Sequence, residues 1–96
     1  MRLLFTPRAK KDYEFWCDND KKIAEKIRNL IKNILQNKHK GLGNPHPLKS
    51  DKQGWWARDI TERHRLVYKI KEDELIVSSC HGHYGDDKKH KKRRKL

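Results

Sequence analysis

The chain has 96 residues, enough for one ordinary domain. It is 33% hydrophobic and 40% charged, with a formal charge of +12. No apolar run is long enough to span a bilayer, no signal-peptide pattern opens the chain, and two cysteines are too few for a disulfide scaffold. Spanning and disulfide-built secreted classes are therefore set aside. A cytoplasmic protein with a polyanionic partner, most simply nucleic acid, is expected.

Arg2 to Phe5 reads as a short strand. Thr6-Pro7 supplies an N-cap and a proline at the first helical position, so a helix should follow to about Cys17. Ala9, Tyr13 and Trp16 give it one buried stripe. Asp18-Asn19-Asp20 breaks it and caps a second helix, whose apolar face is Ile23, Ile27, Leu30, Ile31 and Ile34. That helix should end near Asn37.

Lys38 to Lys52 reads as a loop, since Gly41, Gly43, Pro45 and Pro47 forbid a continuous helix. Three strands are expected after it, at about 55–60, 64–71 and 74–81, with Arg63 and its neighbours in the first turn and Lys71-Glu72-Asp73 in the second. The expected fold is α+β in the order β-α-α-β-β-β, with two helices on one face of a small, mainly antiparallel sheet. The helices should cover Leu66, Tyr68 and Ile70. Arg58, Arg65, Lys69 and His83 should occupy the open face. Residues 1–84 form the expected domain. Residues 85–96 contribute +5 of the charge, lack apolar periodicity and are expected to be a disordered basic tail.

The end of this hairpin gathers an arginine, imidazoles and a phenol: Arg65, His81, His83 and Tyr84. Such a set suits a phosphate-bearing substrate. RNA cleavage by its own 2′-OH needs a proton acceptor, a proton donor and a fixed cation. His46, His83, Arg65, Lys49 and Arg58 are the candidates. An imidazole with a pKa of about 6.5 exchanges protons readily, and a guanidinium grips two phosphate oxygens at once. Taken alone, His83 reads rather as an ordinary exposed histidine near the chain end, and Arg65 reads equally as a solvated strand residue paired with Glu62. Tyr84 either stacks on a base or packs on the sheet edge. Trp55 and Trp56 face opposite ways in a strand, one toward the core. Cys80, His81, His83 and His90 are metal ligands by type, but their spacing fits no closed zinc motif. Cys17 and Cys80 read as small buried hydrophobes.

Thr61-Glu62-Arg63-His64-Arg65-Leu66-Val67-Tyr68 and the ending His83-Tyr84 resemble the YoeB/Txe toxins, within the RelE/ParE superfamily. Gly41-Leu42-Gly43-Asn44-Pro45-His46-Pro47-Leu48-Lys49 and Gly54-Trp55-Trp56-Ala57-Arg58 match that family in order and spacing. The resemblance covers residues 1–84 and implies a RelE-like fold. It also implies a bacterial toxin that cuts messenger RNA at the A site of the 70S ribosome without a cofactor. Its implied partners are a YefM/Phd-like antitoxin and operator DNA, bound as the toxin–antitoxin complex; a homodimer is left open. By this resemblance the catalytic residues are His46, Arg65, His83 and Tyr84. Lys49 and Arg58 match positively charged positions expected to bind RNA phosphates, and Trp55 is a further RNA-binding candidate.

Two positions depart from the family pattern. Its usual base is a glutamate in a Pro-Glu-Pro-Leu setting, where this chain has His46. Many relatives have arginine where this chain has Asp59, which puts an anion near the expected substrate face. Two rivals therefore stand beside the ribonuclease: a ParE-like gyrase poison, and a catalytically weakened RNA-binding or co-repressor module.

Overall fold

The computed structural model describes residues 1–48 and 54–82. Strand β1 (Arg2–Phe5) leads into helix α1 (Pro7–Asn19) and helix α2 (Lys21–Asn37). Four strands follow: β2 (His46–Pro47), β3 (Trp56–Asp59), β4 (Arg65–Lys71) and β5 (Glu74–Ser79). The sheet order is β1-β5-β4-β3-β2. Among the described strands only the β1–β5 pair is parallel. The chain leaves the helices into β2 at the far edge of the sheet and returns through β3 and β4 to β5, which lies beside β1.

The helices begin where the sequence places them. Thr6 Oγ1 accepts the Ala9 N–H at 3.1 Å, with Pro7 at the first helical position. Asp20 serves both helices. Its N–H donates to the Trp16 carbonyl at 2.8 Å, ending α1, and its Oδ1 accepts from the amides of Lys22 and Ile23, starting α2. One residue therefore makes the whole break, and α1 extends to Asn19 rather than to Cys17.

Ile27, Leu30, Ile31 and Ile34 of α2 are buried against Leu66, Tyr68, Leu75 and Val77 of the sheet. Each fully buried Leu or Ile contributes about 1.5–3 kcal/mol. The stripe as a whole thus rivals the net stability of a domain this size.

Three expectations are corrected. The stretch read as loop contains β2, because His46 and Pro47 pair with Ala57 and Trp56. The expected 74–81 strand stops at Ser79, so Cys80 and His81 do not alternate as strand residues. Both reach α1 instead, Cys80 through Ala9 and His81 through Trp16.

Arg58 is the third correction. Its strand partner is Leu66, and directly paired residues share a face. Leu66 faces the helices, so Arg58 does too, and it is fully buried. Lys49, His83, Tyr84, His90 and the tail 85–96 lie outside the described residues.

Candidate functional site

The cross-strand register builds the open face near one end of the sheet. His46 pairs with Ala57, and Ala57 pairs with Val67. Two residues along, Asp59 pairs with Arg65. His46, Ala57, Val67, Asp59 and Arg65 therefore share the face away from the helices. Ala57 and Val67 are buried and form an apolar floor between the polar groups. Two strand spacings and a two-residue offset put the Cα atoms of His46 and Arg65 roughly 12 Å apart. An arginine side chain closes much of that gap.

His46 is exposed enough to react and is oriented. Its Nδ1 lies 2.7 Å from the Asn44 carbonyl. A carbonyl only accepts, so Nδ1 carries the proton and the lone pair of the neutral ring sits on Nε2. The tight turn before it depends on Gly43 (φ 80°) and Asn44 (φ 52°). A Cβ on Gly43 would meet Leu30 Cδ2 at 2.9 Å and the Asp59 carbonyl at 3.1 Å.

Arg58 holds that turn from beneath. Its Nη1 donates to Asn33 Oδ1 at 2.6 Å and to the Leu42 carbonyl at 2.9 Å. Its Nη2 donates to the carbonyls of Lys38 at 2.7 Å and Lys40 at 2.9 Å. Nε reaches the Tyr68 hydroxyl at 3.5 Å. The buried cation thus sits at the C-terminal end of α2, where carbonyl dipoles favour positive charge. With its donors directed inward, Arg58 presents none to RNA. The sequence signal for this was parity with Leu66, available once the β3–β4 register was fixed.

Arg65 Nε stands 3.0 Å from Asp59 Oδ1, and both side chains are partly exposed. Glu62, the partner expected from sequence, is not the one chosen. The N–H is poorly aligned with the oxygen, so Asp59 Oδ1 is buried without a well-formed hydrogen bond despite the ion-pair distance. Contact through Nε leaves the Nη edge of the guanidinium for a phosphate.

On the same face Trp55 is half-buried, with the Lys69 ammonium 5.5 Å from its ring centre. Trp56 points the other way and stacks on His39, ring centres 4.0 Å apart and planes at 12°. Burial, then the charges of Arg58 and Lys38, hold the His39 imidazole below its usual pKa.

Residues 80–82, just beyond β5, are fixed almost atom by atom. The Cys80 N–H donates to Asp12 Oδ2 at 3.0 Å, and Trp16 Nε1 donates to the Cys80 carbonyl at 2.9 Å. Arg8 Nη2 donates to the His81 carbonyl at 3.2 Å. The Gly82 N–H donates to His64 Nδ1 at 2.8 Å, and the Arg65 N–H donates to the Gly82 carbonyl at 3.0 Å. Reading the sequence alone missed this set, because Asp12, Trp16 and His64 carry no motif for it. Cys80 is buried and its thiol is pushed up to about 12 by burial and by Asp12, so it is inert as a nucleophile. Among the described residues no helix is long and apolar enough to cross a membrane.

Residues 5–84 match the family model described as the YoeB-like toxin of bacterial type II toxin-antitoxin systems. The chain is 42% identical over 84 residues to toxin YoeB of Escherichia coli strain K12, covering 88% of this chain and all of the relative. It superposes on the YoeB/ParE toxin from Agrobacterium tumefaciens with a TM-score of 0.86 at 43% identity, covering 88% of this chain and all of that one. It also superposes on the heterotetrameric YoeB-YefM toxin-antitoxin complex from Staphylococcus aureus, with a TM-score of 0.81 at 39% identity over 88% of this chain and 98% of that one.

Proposed function

The chain belongs to the YoeB-like toxins of bacterial type II toxin-antitoxin systems, and on that premise we propose that it is a ribosome-dependent endoribonuclease cutting messenger RNA at the A site in the bacterial cytoplasm. His46 Nε2 takes the proton from a ribose 2′-OH. The oxygen attacks the adjacent phosphate, forming a P–O bond as the bond to the 5′-oxygen breaks. Arg65 carries the charge that builds on the phosphoryl oxygens, and His83 protonates the leaving 5′-oxygen. Tyr84 and Trp55 stack on or contact the RNA, and Lys49 binds phosphate. The two histidines and Arg65 supply both proton transfers and the cation, so the scheme needs no cofactor.

The observation that carries this reading is the orientation of His46. Its Nδ1–H is held on the Asn44 carbonyl, which leaves Nε2 as acceptor on the face shared with Arg65. A histidine so held does the work of the family's glutamate.

The YefM bound to the Staphylococcus aureus relative suggests a partner of the same kind here, an antitoxin with an acidic segment over the basic face. The complex would bind its operator. A YoeB dimer is also known from Staphylococcus aureus, and a homodimer is part of the proposal. The Asp59–Arg65 ion pair favours one second reading, a weakened toxin whose main act is RNA or operator binding.

Cleavage of a programmed messenger on 70S ribosomes tests the assignment. Wild type should cut at the A site, and His46→Ala and His83→Ala should each lose on the order of a hundredfold or more. A silent wild type that His46→Glu awakens would replace the His/His scheme with the weakened-toxin reading.

A further inference from the structure

His64 belongs to no role assigned so far, yet it touches the last described residue before His83. Its ring stands edge-on to Trp16, centres 4.7 Å apart, and 4.8 Å from the ring of His81. Its Nδ1 is 2.8 Å from the Gly82 nitrogen. A backbone N–H can only donate, so Nδ1 is the acceptor and the proton of the neutral ring sits on Nε2. Burial first, then His81 and Arg63, hold this imidazole below its usual pKa, which favours the form with a free lone pair.

The next residue completes the grip. The Arg65 N–H donates to the Gly82 carbonyl at 3.0 Å. Two consecutive residues of one chain segment therefore bind both polar groups of one peptide unit's glycine. Gly82 itself is at φ 93°, a conformation that leaves a side-chain residue strained and a glycine mobile unless held. The partner that fixes the amide side is the His64 ring.

We propose that His64 is a positioning residue: its Nδ1 lone pair pins the Gly82 amide and so couples the placement of His83, one residue on, to the strand that carries Arg65. The inference rests on the reading of His83 as general acid, and its structural half stands apart from that reading. Small displacements of an acid from its leaving group are costly, on the order of a hundredfold for about 1 Å.

Two variants separate the acceptor from the bulk of the ring. His64→Leu fills the space without an acceptor. His64→Asn places an amide oxygen near the position of Nδ1. The first readout is hydrogen exchange of the Gly82 amide in the free protein by NMR. Protection should be lost in His64→Leu and retained in His64→Asn. The second is the single-turnover cleavage rate on programmed ribosomes with saturating protein. His64→Leu should fall by on the order of a hundredfold, with ribosome binding unchanged, and His64→Asn should recover most of the rate. Undiminished Gly82 protection in His64→Leu overturns the clamp. Lost protection with an undiminished rate overturns the coupling to His83. A rate loss that His64→Asn fails to rescue overturns the acceptor role. If His83→Ala cuts as fast as wild type, the general-acid reading fails, while the exchange result still decides the clamp.

Discussion

The two halves of the site are anchored by opposite kinds of chemistry. The turn carrying His46 is held from below by Arg58, a buried cation whose donors meet three carbonyls and an amide oxygen. The segment leading to His83 is held from the side mainly by two rings and a carboxylate, Trp16, His64 and Asp12, with the exposed Arg8 guanidinium added at the His81 carbonyl. A guanidinium keeps its charge at every accessible pH. An imidazole does not. The His46 side is therefore built to be permanent, and the side leading to His83 to depend on conditions.

Removing the permanent anchor should have the largest effect on stability. Arg58→Met keeps most of the volume and deletes all the donors. It strands the carbonyls of Lys40 and Leu42, while the Lys38 carbonyl keeps the Tyr68 hydroxyl and Asn33 Oδ1 keeps the Leu42 N–H. Stranded buried groups cost about 1–3 kcal/mol each when they cannot relax. Urea unfolding should show a loss of at least about 2 kcal/mol. A loss below about 1 kcal/mol would mean that the turn rewets freely and that Arg58 is not its anchor.

The contrast also shows what was legible in the sequence. Helix starts, the apolar stripe of α2 and the β4–β5 hairpin follow from caps and periodicity, which are local. Arg58 was misplaced because its face depends on register with Leu66, a pairing across the β3–β4 turn. In a chain this basic, one more arginine reads as surface. Asp59 was legible as an anion near the site, but its partner was not, since Glu62 is nearer to Arg65 in sequence and Asp59 is nearer across the strands. In the sequence His64 stands out only as part of the 61–68 motif. Its acceptor role requires the chain to return eighteen residues later, and no local signal announces that.

His64 on the conditional side, and His39 beside Arg58 on the other, should both show themselves in pH. His39 and His64 both titrate below the ordinary histidine value in the folded chain. The unfolded chain then binds more protons as pH falls through about 6.5. Their contribution to stability is fully present above that value and is lost as pH drops toward the folded pKa values. Arg58 and Lys38 face His39, and His81 and Arg63 face His64, so each imidazolium is opposed by positive neighbours. Between about pH 7.5 and 5.5 the urea midpoint of wild type should fall further than that of a His39→Gln, His64→Asn double variant. Parallel curves for the two proteins would remove these histidines as the source of the acid sensitivity.

The smallest effect sharpens the comparison where the halves meet, at Arg65. Its ion pair with Asp59 is partly exposed on both sides, and pairs of that kind contribute about 0–1 kcal/mol. Asp59→Asn should therefore leave the urea midpoint nearly unchanged. Its consequence lies in binding. A carboxylate 3.0 Å from the guanidinium offsets the field that draws a phosphate to Arg65, and it competes for the same cation. The amide removes the negative charge while keeping the shape. Affinity for a short single-stranded RNA, read by fluorescence anisotropy, should rise by about two- to fivefold at low salt. The gain should shrink as salt screens the site. An unchanged or weaker affinity would show that Asp59 aims the Arg65 side chain and that its charge is not opposing the substrate. Ribosome cleavage by the same variant then distinguishes the two roles: a faster cut fits an anion that held the toxin back, and a slower one fits a carboxylate that kept the Nη edge turned toward the phosphate.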